Sequence, residues 1–401
     1  MSRPNGNVLI GQSGGPTAVI NQSLVGIVET LVGDPKIGEI YGAVHGIQGV
    51  LKDSLIDLRR EKRSTLEAVA RTPCAALRSV RKKPTREECV QILAALRKHH
   101  VRYFFYIGGN DSAETAFILD EIAAAEMYDV HLFHVPKTID NDLRETDHCP
   151  GFGSAARFVA QAVMGDNQDN RSLPGIKIDV IMGRHAGWLT AASVLARQHE
   201  DDGPHLVYVP ERVFDLDRFA GDVDRVYKAR GRCLVALSEG VHGTDGRTLV
   251  ESKEQDSHGN VQLSGSGALG DLLAAEVKRR LGEKLRVRAD TFGYLQRSFA
   301  GLASEVDAKE ARAVGRFAAG EALKGKVRHG SISLVRKKKG EYSISYAVSE
   351  LAKVAKLTRP LEDRYIQGDH DIAPEFLDYA MPLVGKLPKT ARLSDFPVSS
   401  Y

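Results

Sequence analysis

Two short segments of the chain combine the residue types needed to bind phosphate and to move a proton. The first is Gly108-Gly109-Asn110-Asp111-Ser112, and the second is Pro136-Lys137-Thr138-Ile139-Asp140-Asn141-Asp142. Adjacent glycines let backbone N–H groups approach a phosphate, whereas clustered carboxylates hold a metal ion or accept a proton. Together the two segments indicate phosphoryl transfer.

Each segment directly follows an apolar run that is typical of a strand, residues 103–107 in the first case and 130–135 in the second. A third glycine-rich segment, Gly11-Gln12-Ser13-Gly14-Gly15-Pro16-Thr17, follows the apolar residues 8–10. Ligands of parallel sheets bind at the carboxyl ends of the strands. We therefore expect the three segments to lie along one edge of a sheet.

Apolar residues that recur every three or four positions predict helices between the strands. The first such helix is predicted from the repeat of Ile20, Leu24, Ile27, Val28 and Leu31, with its first turn at Pro16 and its end at Gly33. Further helices are predicted over residues 113–122, 185–195 and 270–281, and further strands over residues 176–182, 206–209 and 233–237. This alternation predicts an α/β fold with parallel sheets sandwiched by helices.

Three other stretches carry no chemical motif. Residues 243–267 are rich in Gly, Ser, Asp and Glu and are predicted to form a surface loop. Residues 336–339 are a short basic run before Gly340, for which a hairpin turn with solvated lysines is favoured over a binding patch. After Pro360 the chain is predicted to be irregular.

The composition indicates an ordinary globular protein and excludes several classes. A chain of 401 residues is long enough for two or three domains, and 42% hydrophobic with 27% charged residues is a common balance. A net charge of +3 does not indicate a nucleic-acid or membrane partner.

The cysteines and the apolar stretches bear on location. Cys74, Cys89, Cys149 and Cys233 lack zinc or disulfide spacing and suit a reducing compartment. From the polar N-terminus we expect no signal peptide, and no apolar stretch approaches the roughly 20 residues that span a bilayer. A cytoplasmic protein is expected.

Taken together, the motifs resemble those of the phosphofructokinase family from about Val8 to Ala322. The motifs that carry the resemblance are Gln12-Ser13-Gly14-Gly15, Gly108-Gly109, Lys137-Thr138-Ile139-Asp140-Asn141-Asp142, Met182-Gly183-Arg184, Ser238-Glu239-Gly240 and Gly293-Tyr294-Leu295-Gln296-Arg297. In this family the 1-hydroxyl of fructose 6-phosphate takes a phosphoryl group from ATP or from pyrophosphate.

The resemblance also implies the architecture. It implies two Rossmann-like three-layer α/β domains with mostly parallel sheets and the active site in the cleft between them. The larger, donor-binding domain is expected over residues 1–150 plus about 296–345, and the sugar-phosphate domain over residues 151–295. Residues 346–401 would form a C-terminal extension of open role.

By the same resemblance, Asp140 is the general base that accepts the proton of the sugar hydroxyl. Asp142 would orient the same centre, and Thr138 would hydrogen-bond the transferring group. Arg184 would offset charge on that group, with Met182 and Gly183 as its backbone neighbours. A turn with solvated acids is the alternative for the two aspartates.

Other residues resemble the family's substrate contacts. Gly14 and Gly15 would approach the donor phosphate, Glu239 would accept hydrogen bonds from sugar hydroxyls, and Arg81 would contact the donor. Because Arg78 stands where the family usually has glycine, a solvated basic stretch over residues 78–83 remains an alternative for Arg81.

Arg288, Tyr294 and Arg297 resemble the clamp on the 6-phosphate, a task that suits the planar fork of arginine. In the family one such arginine reaches across from a neighbouring subunit, which implies a homo-oligomer, either a dimer or a tetramer. Ordinary surface arginines are the alternative.

Two positions bear on the phosphoryl donor. ATP-using members of the family carry glycine where this chain has Asp111 and a small residue where it has Lys137, whereas pyrophosphate-using members carry aspartate and lysine. A carboxylate 4 Å from an α-phosphate adds about 4 kcal/mol of repulsion at an effective dielectric of about 20. That energy corresponds to a roughly thousandfold lower rate or affinity for ATP. We therefore predict a pyrophosphate-dependent, reversible phosphotransferase of glycolysis and gluconeogenesis.

The alternatives are an ATP-dependent 6-phosphofructokinase and a catalytically weak regulatory subunit of the same family. A dinucleotide-binding dehydrogenase fits poorly, because no strand is followed by G-x-G-x-x-G with an acidic partner.

The expected cofactor is Mg²⁺. The family usually has a magnesium-binding aspartate where this chain has Asn110, which offers a carbonyl oxygen but no charge. The predicted ligands are Asn110 and Asp140, and binding would depend more on Asp140, Asp142 and the substrate's own phosphates.

Overall fold

The computed structural model describes residues 6–250, 266–337 and 340–394. Residues 251–265 of the predicted surface loop and residues 338–339 of the predicted hairpin turn lie outside the described residues. Within the described residues no helix is both long and apolar enough to cross a membrane.

The strands alternate with helices along most of the chain. The strands are β1 (Gly6–Gln12), β2 (Ile37–Ala43), β3 (Leu55–Asp57), β4 (Val101–Gly108), β5 (His131–Pro136), β6 (Ile176–Ile181), β7 (Leu206–Tyr208), β8 (Cys233–Ser238), β9 (Val287–Thr291), β10 (His329–Arg336), β11 (Ile344–Ser349), β12 (Ile366–Gln367) and β13 (Asp371–Ile372). The helices are α1 (Ile20–Leu31), α2 (Gly46–Leu51), α3 (Arg63–Ala70), α4 (Arg86–Lys98), α5 (Asn110–Ala125), α6 (Phe152–Ser172), α7 (Trp188–Ala191), α8 (Leu216–Arg230), α9 (Ala268–Leu281), α10 (Leu295–Ser298), α11 (Glu305–Lys324), α12 (Leu351–Val354) and α13 (Glu375–Val384).

Two sheets organise these elements. The larger has the strand order β11-β10-β5-β4-β1-β2-β3, in which the five inner strands from β10 to β2 are parallel and the two edge strands are antiparallel. The smaller has the order β7-β8-β6-β9 and is parallel throughout. The predicted fold class, with mostly parallel sheets, is confirmed.

Each face of the larger sheet is covered by helices. Ile10, Phe105 and Val135 point to a core shared with α1 and α11, whereas Leu9 and Phe104 point to a core shared with α2, α4 and α5. The side chains of a strand alternate between its two faces, so near-continuous apolar strands are the expected consequence of burial on both faces.

The smaller sheet is also the middle of three layers. Ile178 and Val235 pack against α8 and α9, whereas Ile181 and Ala236 pack against α6, α7 and α13. Helix α13 therefore supplies part of the core of this sheet although it lies near the end of the described chain.

Several local predictions are confirmed and others are wrong. The strands over residues 206–209 and 233–237 and the helix over residues 270–281 with Gly282 as its C-cap are present. Pro16 does not lie in α1, which begins at Ile20. The backbone before α1 is instead a turn in which the carbonyl of Thr17 accepts a hydrogen bond from Cys74 N at 3.1 Å.

The segment at residues 185–195 is helical except for its first three residues. Helix α7 begins at Trp188 and continues as a 3₁₀ helix, Ala192–Ala196. The preceding residues form a turn in which Gly183 has a φ of +148° and the amide of Gly187 donates to Glu211 Oε1 at 2.9 Å. These two restraints delay the start of the helix.

The prediction that the chain is irregular after Pro360 is wrong. The small β12–β13 hairpin and helix α13 follow, and Phe376, Tyr379 and Leu383 of α13 are buried. Pro382 lies inside this helix, which explains why the sequence pattern did not reveal it. The predicted hairpin near residues 336–339 is flanked by the antiparallel pair β10 and β11.

Candidate active site

Three glycine-rich or acidic turns lie side by side at the carboxyl edge of the larger sheet. They follow β1, β4 and β5, which are neighbours in the sheet. In the register Gln12 pairs with Ile107 and Gly108 pairs with Pro136, so all three strands end at the same level. The juxtaposition predicted from the sequence is therefore present.

The turn after β1 lies against three positively charged side chains. Lys137 Nζ donates to the carbonyl of Gly15 at 2.8 Å. A Cβ atom built on Gly15 would lie 2.9 Å from Arg297 Nη1 and 3.5 Å from Arg81 Nη2. The structure thus brings together Arg81, Lys137 and Arg297 at Gly15, where a side chain would displace the guanidinium of Arg297.

The segment that carries Arg81 is fastened to the turn after β1. Gln12 Oε1 accepts from Leu77 N at 2.9 Å, and Gly14 N donates to the carbonyl of Val80 at 3.0 Å. Arg78 has a φ of +59°, a left-handed conformation that favours glycine. Arg78 therefore keeps the backbone conformation for which the family's glycine is suited.

Lys137 is buried, and burial lowers the pKa of its ammonium group to about 8. The charge of Asp140 acts in the opposite direction, while Arg297 and Arg81 lower the pKa further. A lysine in these surroundings lacks enough negative charge nearby to balance it. It is suited to an anionic ligand.

Asp140 and Thr138 are joined within the turn after β5. Asp140 N donates to Thr138 Oγ1 at 3.1 Å, and the Thr138 hydroxyl reaches Asp140 Oδ2 at 3.5 Å. Burial raises the pKa of Asp140, and the positive charges of Lys137, Arg184 and Arg297 partly offset that effect. A carboxylate held in this way is a stronger base than one in water.

Asp142 lies beside Asn110, so the two acidic turns are in direct contact. Asn110 Nδ2 donates to Asp142 Oδ2 at 3.0 Å. Burial, and then the charge of Asp140, raises the pKa of Asp142 to about 7. Asn110 Oδ1 is buried and has no hydrogen-bond partner among the described residues. An unpaired carbonyl oxygen beside the carboxylate of Asp142 is a pair of oxygen donors that fits a hard divalent cation.

Asp111 lies in the first turn of α5 and is exposed. A helix N-terminus favours negative charge, and here a carboxylate occupies the position that an anionic ligand could otherwise take. The negative charge at the N-terminus of α5 is therefore supplied by the chain's own Asp111.

The carboxyl edge of the smaller sheet brings together a second group of predicted residues. Glu239 N donates to the carbonyl of Ile181 at 2.8 Å, which places the turn after β8 beside the turn after β6. A Cβ atom on Gly240 would lie 2.1 Å from the carbonyl oxygen of Arg184, so the two turns are in contact. Met182 and Gly183 occupy the turn after β6 together with Arg184.

Gln296 is a site residue to which the sequence analysis gave no role of its own. Its side chain is buried, its Oε1 accepts from Met182 N at 3.3 Å and its Nε2 donates to the carbonyl of Gly293 at 2.9 Å. It joins the turn after β9 to the turn after β6. The only available signal was its place within the motif that ends in Arg297.

Tyr294 and Arg297 lie together, whereas Arg288 lies elsewhere. The guanidinium of Arg297 stacks over the Tyr294 ring with 4.3 Å to the ring centroid. Arg288 is exposed and pairs in register with Lys177, near the amino end of β6. The structure therefore does not bring Arg288 to the same site as Arg297 within one chain.

Comparison with known proteins agrees with this geometry. The family model described as phosphofructokinase matches residues 7–319, and the chain belongs to this family. It is 51% identical over 396 residues to pyrophosphate--fructose 6-phosphate 1-phosphotransferase of Rhodospirillum rubrum, with 97% of each chain covered. It is 42% identical over 333 residues to the protein of the same name from Xanthomonas campestris pv. campestris, covering 80% of this chain and 78% of the relative.

A solved structure extends the likeness to the whole fold. The crystal structure of pyrophosphate-dependent phosphofructokinase from Marinobacter aquaeolei superposes with a TM-score of 0.84 at 33% identity. The match covers 99% of this chain and 98% of the other, so the similarity includes the residues beyond the family model.

Proposed function

We propose that this protein transfers a phosphoryl group from inorganic pyrophosphate to the 1-hydroxyl of fructose 6-phosphate, giving fructose 1,6-bisphosphate and phosphate. The observation that carries the proposal is the placement of Lys137, buried and with a pKa lowered to about 8 by burial, against Gly15 and beside Asp140. The similar proteins from Rhodospirillum rubrum and Xanthomonas campestris are named for the same donor and acceptor.

The donor is selected by two opposite charges. Asp111, at the N-terminus of α5, repels the additional phosphate of a nucleotide, whereas Lys137 attracts a compact, highly charged anhydride. Arg81, Gly14 and Gly15 would complete the donor site. The convergence of Arg81, Lys137 and Arg297 on Gly15 supports this assignment.

The acceptor is activated by Asp140. Its carboxylate takes the proton of the attacking hydroxyl, and its pKa, raised by burial, makes the carboxylate a better base. Arg184 offsets charge on the transferring phosphoryl group, Thr138 hydrogen-bonds it, and Asp142 orients the centre. Phosphoryl transfer depends chiefly on such positioning and charge.

The sugar phosphate would be held by the turns at the edge of the smaller sheet. Glu239 would accept hydrogen bonds from sugar hydroxyls, with Met182 and Gly183 beside it, and Tyr294 and Arg297 would bind the 6-phosphate. Arg288 would act on the 6-phosphate bound by a neighbouring copy of the chain. Its exposure at the far end of β9 supports a homo-oligomer, either a dimer or a tetramer.

The family resemblance implies a divalent metal, and we propose Mg²⁺. The unpaired Oδ1 of Asn110 and the carboxylates of Asp140 and Asp142 are oxygen donors, which Mg²⁺ prefers. When bound, the ion would neutralise charge on the phosphates of the donor.

We also propose that the larger sheet belongs to the donor-binding domain and the smaller sheet to the sugar-phosphate domain. We propose that the enzyme is cytoplasmic.

The test is a steady-state assay of the purified protein with fructose 6-phosphate and Mg²⁺, comparing pyrophosphate with ATP. Turnover with pyrophosphate at least about 10³-fold more efficient than with ATP is expected from the repulsion at Asp111. Efficient use of ATP would overturn the donor assignment, and no turnover with either donor would favour a regulatory subunit. Consumption of fructose 1,6-bisphosphate in the presence of phosphate tests reversibility.

The paired substitution Asp111→Gly with Lys137→Gly sharpens the assay. We expect pyrophosphate use to fall and ATP use to appear only in the double variant. Each single variant is the matched control, because each changes one charge and leaves the other in place.

A further inference from the structure

The segment after Leu357 lies against the turn that carries Asp140 and Asp142. Thr358 forms an isolated antiparallel bridge with Leu143, and Arg359 N donates to the carbonyl of Asp142 at 2.7 Å. The family model ends at residue 319, so this segment lies outside the matched region. Its contacts with the turn therefore need their own explanation.

The side chain of Arg359 binds the same turn from outside. Its Nη2 donates to the carbonyl of Asn141 at 2.9 Å, and its Nη1 donates to the carbonyls of Thr146 and Asp147, each at 2.7 Å. The planar guanidinium presents its donors in fixed directions, so one side chain can hold several carbonyls at once. Lysine carries its three donors on one nitrogen and cannot reproduce this planar fork.

Trp188 supports the guanidinium from below. The guanidinium carbon of Arg359 lies 4.6 Å from the centroid of the Trp188 ring, and Trp188 Nε1 donates to the carbonyl of Arg359 at 3.2 Å. The tryptophan is fully buried. Stacking and hydrogen bonding together restrict Arg359 to one orientation.

Tyr379 of α13 holds the residue between the two aspartates. Its hydroxyl accepts from Asn141 Nδ2 at 2.8 Å and donates to the carbonyl of Asp147 at 2.9 Å. Asn141 Oδ1 accepts from Cys149 N at 2.9 Å. Asn141 has a φ of +56°, a left-handed conformation that asparagine adopts more readily than most other residues with a side chain.

All of these bonds act on the backbone of the turn or on Asn141. Arg359 and Tyr379 donate to carbonyl oxygens, and Tyr379 accepts from the Asn141 amide. None of these hydrogen bonds involves a carboxylate oxygen of Asp140 or Asp142. The segment can therefore set the direction of the two carboxylates without competing with a substrate for them.

We propose that Arg359, assisted by Tyr379, is a positioning residue for phosphoryl transfer and makes the C-terminal segment part of the catalytic machinery. The inference rests on the proposed function, because it assigns Arg359 to the reaction that Asp140 serves. A displacement of about 1 Å in a reacting group costs on the order of 100-fold in rate. Arg359 should therefore affect kcat far more than substrate binding.

The experiment compares Arg359→Ala with Arg157→Ala in the full chain. Arg157 is a matched control, because its Nη1 also donates to two backbone carbonyls of the C-terminal segment, those of Val384 and Lys386, each at 2.8 Å, away from the turn. For Arg359→Ala we expect kcat to fall about 100-fold with KM for each substrate changed less than about threefold. For Arg157→Ala we expect near-normal kcat, with both variants melting at lower temperature.

Free guanidinium supplies a readout that a merely structural role would not move. In Arg359→Ala, guanidinium at concentrations far below those that denature proteins should refill the space beside Trp188 and restore kcat at least about tenfold. Trp188 is the single tryptophan of the chain, so its fluorescence reports guanidinium binding directly. Both titrations should give the same half-saturation, and urea should restore nothing.

Equal kcat losses in Arg359→Ala and Arg157→Ala, or folded Arg359→Ala protein without rescue by guanidinium, would overturn the proposal. If Arg359→Ala does not fold, the variants Arg359→Lys and Tyr379→Phe test the positioning role instead. Each is expected to lower kcat about tenfold at unchanged KM, and normal kcat in both would reject the proposal.

The failure of the proposed function is distinguishable from the failure of this inference. If the unmodified protein prefers another phosphoryl donor, the same variants are compared with that donor. If it shows no turnover, hydrogen exchange over residues 137–150 decides. Faster exchange in Arg359→Ala than in Arg157→Ala, reversed by guanidinium, supports positioning, and equal exchange rejects it.

Discussion

The site around Gly15, which we call the cleft, and the amino end of β9 each carry one arginine of the predicted 6-phosphate clamp. The two regions differ in burial and in surroundings. In the cleft, Arg297 lies against Gly15 together with Arg81 and Lys137. At the amino end of β9, Arg288 is exposed. Its Nη1 donates to the carbonyl of the neighbouring residue Val287 at 3.0 Å.

The distance between the two regions follows from strand geometry. Arg288 pairs with Lys177, five residues before Met182 at the carboxyl end of the same sheet. At about 3.3 Å per residue, that separation is about 16 Å along the strand. One chain therefore assembles the cleft, and the role that we propose for Arg288 requires a neighbouring copy of the chain.

The comparison of the two regions shows that the pKa of a buried charged group depends strongly on its surroundings. In the cleft, burial lowers the pKa of Lys137 and raises the pKa of Asp142. An exposed arginine keeps its charge at every accessible pH, and solvent screens its long-range effect. Substitutions in the two regions should therefore differ in kind as well as in size.

The largest expected effect is that of Asp140→Asn, which keeps the shape of the side chain and removes the base. We expect kcat to fall about 10³-fold, because general base catalysis contributes about 10²- to 10⁴-fold. The measurement is steady-state kinetics, with the melting temperature as a check on folding. Asp217→Asn, an exposed partner of Arg280, is the control and should leave kcat unchanged. Retention of more than about a tenth of kcat would remove Asp140 from this role.

A hybrid experiment compares the two arginines directly. Arg288→Ala and Asp140→Asn chains, each inactive alone, are refolded together in equal amounts. If Arg288 acts across an interface, about a quarter of the unmodified activity returns, because half the dimers are hybrids with one intact site.

The same mixture with Arg297→Ala is the matched control, and we expect no recovery there because Arg297 and Asp140 belong to the same cleft. Recovery with Arg297→Ala, or none with Arg288→Ala, would contradict the comparison between the two regions.

The smallest expected effect is a pH dependence that belongs to the cleft alone. The ammonium group of Lys137 is charged below its pKa of about 8, which burial sets, and loses its charge as the pH rises through that value. We expect kcat/KM for pyrophosphate to decline above about pH 8, whereas kcat at saturating pyrophosphate stays level because the bound anion keeps the ammonium protonated.

The control is the same pH series with fructose 6-phosphate varied at saturating pyrophosphate, at constant ionic strength and with Mg²⁺ in excess. Arginine guanidinium groups have pKa values far above this range, so the predicted decline is assigned to the ammonium group of Lys137. A level profile for kcat/KM with pyrophosphate would show that Lys137 does not supply the binding charge.

Much of the cleft could be predicted from the sequence because each of its turns is formed by residues that are close together in the chain. Each turn follows its own apolar strand, and parallel neighbours bring their carboxyl ends together, so the juxtaposition of Gly14, Gly109 and Asp140 followed from the strand pattern alone. The start of α1 was predicted wrongly, because a long-range bond from Cys74 holds the turn that contains Thr17. Periodicity within α1 carries no trace of that contact.

The C-terminal segment could not be predicted for the same reason. Helix α13 contains Pro382, and its role depends on packing against α6 and on the bond between Tyr379 and Asn141. Asn141 and Tyr379 are distant in sequence, and nothing near either residue indicates the other. Gln296 was likewise recognisable only as a member of a motif.

By itself the sequence determined the α/β alternation, the three turns at the strand ends and the pair of charges at Asp111 and Lys137, because each depends on residues close together in the chain. Only the tertiary structure separated Arg288 from Arg297, fastened Arg81 beside Gly15 and placed Arg359 against the Asp140 turn. These placements depend on sheet register and on side-chain packing between segments that are distant in the sequence. Local sequence patterns contain no information about either.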